Sequence, residues 1–95
     1  MKITKKIAKY YLKKYNINQQ IVPLKWFSYA MEVELEHGSR YGNVTNVTHD
    51  DLDITVRIVL AHLIEDPFYY QRLYKMEQMG EKYWKNKKKP NIFNI

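Results

Sequence analysis

The chain has no cysteine, so disulfides and thiolate metal sites are excluded. It has only two serines, Ser28 and Ser39, and neither sits in the glycine-flanked turn that exposes a serine nucleophile. Its three glycines are scattered, so no glycine-rich loop is available to wrap a phosphate. No apolar run approaches the ~20 residues needed to span a bilayer. In the opening segment, MKITKKIAKYYLKKYNIN, lysines interrupt every apolar stretch, so the hydrophobic centre of a signal peptide is missing. An intracellular protein is expected, neither secreted nor held by a membrane, and the two Asn-Val-Thr sequons at 43–48 are expected to carry no glycan.

Acidic residues are absent from both ends. Residues 1–14 carry six lysines and residues 82–95 carry five, with no Asp or Glu in either segment. The net charge of +6 therefore belongs to the ends, while the middle of the chain is acidic. Such ends can grip a phosphate backbone or an acidic partner, so nucleic acid enters as a possible partner alongside protein. The same excess of Lys, Asn, Ile and Tyr is what AT-rich codons supply, which weakens a functional reading of the lysines.

What is present favours a folded helical domain. Hydrophobic residues make up 45% of the 95 residues, and nine tyrosines are among them, enough for one modest core. Ile3, Ile7, Tyr11 and Tyr15 recur every four residues with Leu12 beside them, which predicts a first helix over 4–15. Pro23 opens a second helix, in which Leu24, Phe27, Met31 and Leu35 form the apolar stripe and Ala30 leaves room for a neighbour. Gly38 reads as its terminator in a positive-φ position. In THDD, Thr48 is the expected cap of a third helix whose buried face is Leu52, Val56, Val59, Leu60 and Leu63. Asp66-Pro67 is the expected start of a fourth, carried on by Phe68, Tyr69, Leu73 and Met76. The expected fold is all-α: a small single-domain bundle of about four helices over 1–84, followed by a basic tail, 85–95. The second and third helices are expected to pack antiparallel.

Two short patterns carry possible chemistry. Glu34 and His37 form E-x-x-H near the end of the second helix, and His62 and Glu65 form H-x-x-E near the end of the third. Residues three apart share a helix face, and helical bundles build carboxylate–histidine sites from such faces. Glu34, His37, His62 and Glu65 are therefore candidate ligands for Zn²⁺ or Fe²⁺. The alternative is bland: two histidines that satisfy helix ends or pair with nearby acids and tyrosines. Helices lying antiparallel would hold the two patterns apart. His49 is a further possible ligand, more at home in solvent. Tyr69 and Tyr70, with Lys85, Lys87, Lys88 and Lys89, are candidate partner-binding residues, since aromatics among lysines can stack on bases. No catalytic constellation is expected.

Taken together, MEVELEHG and TNVTHDDLDITVRIVLAHLIEDPFYYQRLYKME resemble an uncharacterised family, a domain of unknown function. Its members occur in large DNA viruses of the mimivirus-like kind and, in shorter forms, in phage and bacterial proteins. Its pattern is similar to E-x-E-H-G/T, a variable loop, then H-L-x-E-x-P-x-Y-Y-x-x-L. Here Glu34, Glu36, His37 and Gly38, then His62, Leu63, Glu65, Pro67, Tyr69, Tyr70 and Leu73 match it, within a family-like core of 31–77. Ala30 or Met31 stands where the family often has glycine. The resemblance implies a viral source, a place in the host cytoplasm or the virion, and one structural unit containing both histidine patterns. It implies no activity. The expected function is a non-enzymatic interaction module for a protein or nucleic-acid partner, with a divalent-metal-binding domain as the alternative. No cofactor is expected beyond that ion.

Overall fold

The computed structural model describes residues 2–94. Among them are four α-helices and no strand: α1 (Lys5–Lys14), α2 (Leu24–Glu34), α3 (Leu52–Glu65) and α4 (Tyr69–Trp84). The all-α architecture is as the periodicity predicts.

Each helix begins where its side chains allow. The Thr4 hydroxyl accepts the Ile7 N–H at 3.2 Å and caps α1. Pro23 precedes α2 with extended φ/ψ. The cap of α3 is Asp51, not Thr48: its carboxylate accepts the Ile54 N–H at 2.9 Å. Thr48 is buried instead, and His49 and Asp50 both adopt positive φ (53° and 61°), so the chain turns sharply before the helix can start. Asp66 accepts the Phe68 N–H at 2.9 Å and the Arg72 Nε–H at 2.7 Å; these two bonds, side-chain first, hold its carboxyl below the usual range. Pro67 lies in this turn, one residue outside the cap of α4.

The core joins all four helices. Ala8 and Leu12 of α1, Phe27, Ala30 and Met31 of α2, Val56 and Val59 of α3 and Tyr70 of α4 have essentially no exposed surface. On α1 the buried stripe is centred on Ala8 and Leu12, with Ile7, Tyr11 and Tyr15 at its edges. On α4 the expected stripe holds in half, for Tyr69 and Leu73 pack against the core. Phe68 and Met76 are exposed, and Tyr70 is the single fully buried residue of that helix. The first half of α4 is braced by Trp26, Tyr29 and Tyr74, whose rings meet edge to face with centroids 5.4–5.8 Å apart. Tyr29 also donates to Glu77 at 3.2 Å, and burial together with that carboxylate pushes its hydroxyl up to about 12. The second half of α4 reaches beyond the body. The molecule measures 45 × 27 × 24 Å, and its radius of gyration, 14.8 Å, exceeds the roughly 12–13 Å of a compact chain this long.

Between α2 and α3 the chain makes two 3₁₀ turns, Leu35–His37 and Ser39–Tyr41. It is then tied back at two points. The His37 carbonyl accepts the Val47 and Thr48 N–H groups at 2.7 and 3.0 Å. The Asp50 carboxylate accepts the Ser39 N–H at 3.0 Å and the Ser39 hydroxyl at 2.6 Å, which holds its carboxyl below the usual range. Gly38 is required for a steric reason. Its φ is −98°, not positive, but a Cβ there would collide with the Asp50 carboxylate. The tie folds the link back, so α2 and α3 do not form the expected antiparallel hairpin in matched register. Their C-terminal turns meet instead.

Two outcomes follow. Gly38→Ala should cost roughly 0.5–1.5 kcal/mol, the size of the exposed Asp50–Ser39 hydrogen bonds that the Asp50 carboxylate must give up to make room. The cost should shrink in an Asp50→Ala background, and additive urea denaturation energies in that double-mutant cycle would contradict the clash. At the other end of α3, Asp53 accepts from Lys14 Nζ at 2.7 Å and Tyr15 Oη at 2.6 Å, and these bonds lower its pKa. A depressed carboxylate contributes stability above its unfolded pKa and loses it as pH falls through the folded value. The gap in melting temperature between wild type and Asp53→Asn should therefore be present at neutral pH and close below about pH 4.

Candidate metal centre

Glu34 ends α2, and its side chain is pointed inward by the register that buries Phe27, Ala30 and Met31. It is 3% exposed, the one buried acidic residue among the described residues. Three elements present groups to it. From the 3₁₀ turn, His37 Nε2 lies 3.8 Å from Glu34 Oε1 and 4.0 Å from Glu36 Oε1. From α3, His62 Nε2 lies 3.4 Å from Glu34 Oε2. From α4, the Tyr70 hydroxyl is turned to the same carboxylate.

None of these contacts completes the carboxylate's hydrogen bonding. Glu34 Oε2 and Tyr70 Oη are both buried without a partner in full hydrogen-bond geometry. Burial raises the Glu34 pKa, while His62, His37 and the Tyr70 hydroxyl pull it down. Burial and the Glu34 charge push the Tyr70 hydroxyl far up, so Tyr70 is a neutral donor. A buried carboxylate without a full counter-charge costs several kcal/mol. A proton or a cation at this carboxylate would offset that cost.

The donor spacing fits a cation. One donor atom from each of Glu34, Glu36 and His37 can be chosen so that all lie within 4.8 Å of one another. Ligands sharing one ion at about 2.0–2.2 Å sit roughly 3–4.4 Å apart, so small side-chain rotations suffice. His62 faces the other oxygen of Glu34, and its ring stacks on Tyr69 (4.3 Å between centroids, 10° between planes), which fixes its orientation. The three mutually close donors are one imidazole and two carboxylates, half open to solvent through His37 and Glu36, with His62 beside Glu34 outside that group; such nitrogen and oxygen donors are of a type that Zn²⁺, Fe²⁺ or Mn²⁺ accepts.

Of the residues expected from the sequence, Glu34, His37 and His62 come together. Glu65 does not join them: it is exposed, and Glu36 supplies the second acid. Glu36 is one residue before His37, so the helical spacing rule passes over it. A 3₁₀ turn in place of the last α-turn brings the two together. His49 is exposed on its strained turn. Tyr70, expected on a partner surface, is 1% exposed and belongs to the core. Lys85, Lys87, Lys88 and Lys89 are exposed beyond α4, with Lys87 Nζ 3.5 Å above the Tyr83 ring.

A family model described as "Protein of unknown function (DUF5661)" matches residues 3–79. The chain belongs to the DUF5661 family. No curated protein and no solved structure matches it. The DUF5661 span takes in α1–α3, most of α4 and every residue of the Glu34 cluster, and it stops before the basic tail.

The uncompensated charge of Glu34 sets an unusual expectation for stability. Glu34→Gln keeps the shape and removes the charge, so the metal-free protein at pH 7 should melt higher by roughly 4–8 °C for each kcal/mol regained. A lower melting temperature would show that the histidines already satisfy the carboxylate.

Proposed function

We propose that this DUF5661 domain is a non-enzymatic, divalent-metal-binding helical module whose ligands are Glu34, Glu36, His37 and His62. The observation that carries the reading is the Glu34 carboxylate, buried to 3% exposure with one oxygen unpartnered and two imidazole nitrogens within 4 Å. A divalent ion supplies the charge that this carboxylate lacks, and binding to the folded state alone adds stability. The ion would tie together the end of α2, the 3₁₀ turn after it and the end of α3, so its first role is structural. Neutral Tyr70 and the stacked Tyr69 ring support the ligands from behind. The resemblance of the E-x-E-H-G and H-L-x-E-x-P-x-Y-Y segments to viral proteins supports a source in a large DNA virus, with the module working in the infected cell or the particle.

The test uses protein purified without a histidine tag and stripped with chelator. Zn²⁺, Mn²⁺ and Fe²⁺ are titrated by calorimetry and by melting. At an ion concentration about a hundredfold above Kd, the stabilisation should reach ~2.7 kcal/mol. His62→Ala and Glu36→Gln should remove most of it, and Glu65→Ala should not. No melting shift with any of the three ions, or a shift untouched by His62→Ala, would overturn the reading.

A further inference from the structure

The projecting half of α4 does not stand free. It forms one wall of an open groove of about 850 Å³, whose other wall is the end of α2 and the 3₁₀ turns that follow. Its apolar lining includes Val33, Met76 and Trp84. Four carboxylates line it, those of Glu32, Glu36, Glu77 and Glu81, against two cations, Arg40 and Lys89. Two of the four are engaged within the fold: Glu32 accepts the Ile3 N–H at 2.6 Å and Glu77 the Tyr29 hydroxyl. Glu81 makes no ion pair among the described residues and is fully available to a visitor.

The chain's own tail indicates which visitor fits. After α4 it reads KNKKKPNIFNI, lysines followed by three apolar side chains, Ile92, Phe93 and Ile95. Lys89, Pro90 and Ile92 lie at the groove and line it in cis. They do not fill it, for Ile92 is 86% and Phe93 55% exposed. A cation at an acidic rim with an apolar side chain beside an apolar lining is complementary in both charge and polarity, whereas the rim repels polyanions.

We propose that this groove is a docking site for a basic peptide segment anchored by apolar residues, and that the tail, residues 85–94, is its weak intramolecular competitor. The lysines of the segment pair with Glu81 and its neighbours, and its apolar residues cover Met76 and Trp84. The basic tail then acts by occupying an acidic site on its own domain, not by gripping nucleic acid. The inference does not depend on metal binding. Glu36 is common to both sites, so it is left unaltered in the test.

The probe is a labelled synthetic peptide, KNKKKPNIFNI, titrated into the full chain at low salt and followed by fluorescence anisotropy. Ile92→Ser/Phe93→Ser in the protein weakens the competitor, so the peptide should bind that variant more tightly than wild type. Glu81→Lys and Met76→Ser, both at exposed positions and checked for unchanged melting, should each weaken binding by about tenfold. Salt should weaken it further, because the rim charges are screened. A control peptide with serines for its two isoleucines and its phenylalanine should bind at least as poorly as the Met76→Ser variant binds the parent.

Four results overturn the proposal: no peptide binding by wild type or by the tail variant, binding untouched by both groove substitutions, equal binding of the serine control, or a single-stranded oligonucleotide that binds and is displaced by the peptide. Concentration-dependent self-association abolished by Met76→Ser would make a second copy the occupant, and it too overturns the peptide reading.

Discussion

A carboxylate inside the core organises this domain. Glu34 sits where the last turn of α2, the 3₁₀ turn, α3 and α4 converge, and each contributes a polar group to it. Replacing it by an apolar residue of similar size would ease the burial of α2, because the stripe of Phe27, Ala30 and Met31 already supplies the packing. The domain instead keeps a carboxyl group there and arranges His62, His37 and Tyr70 around it, each of which favours its charged form against the cost of burial. Buried polar groups left short of partners are rare in native proteins.

Convergence at Glu34 depends on how the link between α2 and α3 is folded. Gly38 lets the Asp50 carboxylate pass close to the backbone, Asp50 holds Ser39, and the His37 carbonyl takes two amides. These ties start α3 near the end of α2, and α3 then runs so that His62 returns to Glu34. Left-handed conformations at His49 and Asp50 are part of the cost of that path. The strain lies in the link that brings the Glu34 cluster together.

Much of the fold was legible in the sequence, and the reasons are local. The period of α1, the proline before α2 and the Asp66 turn before α4 are written in neighbouring residues, so helix ends fall within a few residues of expectation. The start of α3 was harder, because Thr48 and Asp51 are both good caps, and the choice between them rests on two residues in unusual φ. Glu34, His37 and His62 were legible as chemically marked residues, but their meeting was not. Spacing fixes which residues share a face of one helix, whereas the meeting of two helix ends depends on the path of the link. The same limit explains Glu65 and Tyr70. A three-residue spacing paired Glu65 with His62, while the α3 face centred on Val56 and Val59 turns Glu65 to solvent. Adjacent tyrosines look alike in sequence, and packing alone makes Tyr70 core and Tyr69 a stacking partner.

His37 serves two masters through different atoms. Its carbonyl closes the loop on Val47 and Thr48, and its imidazole addresses Glu34 and Glu36. Every replacement leaves the carbonyl in place, and proline alone would remove the backbone N–H, so scaffold and side-chain chemistry are separable at this residue. They are not separable at Tyr70, whose ring fills the core while its hydroxyl faces the carboxylate. A designer wishing to change the polar cluster without disturbing the body has in position 37 a side chain whose removal leaves the loop closure intact.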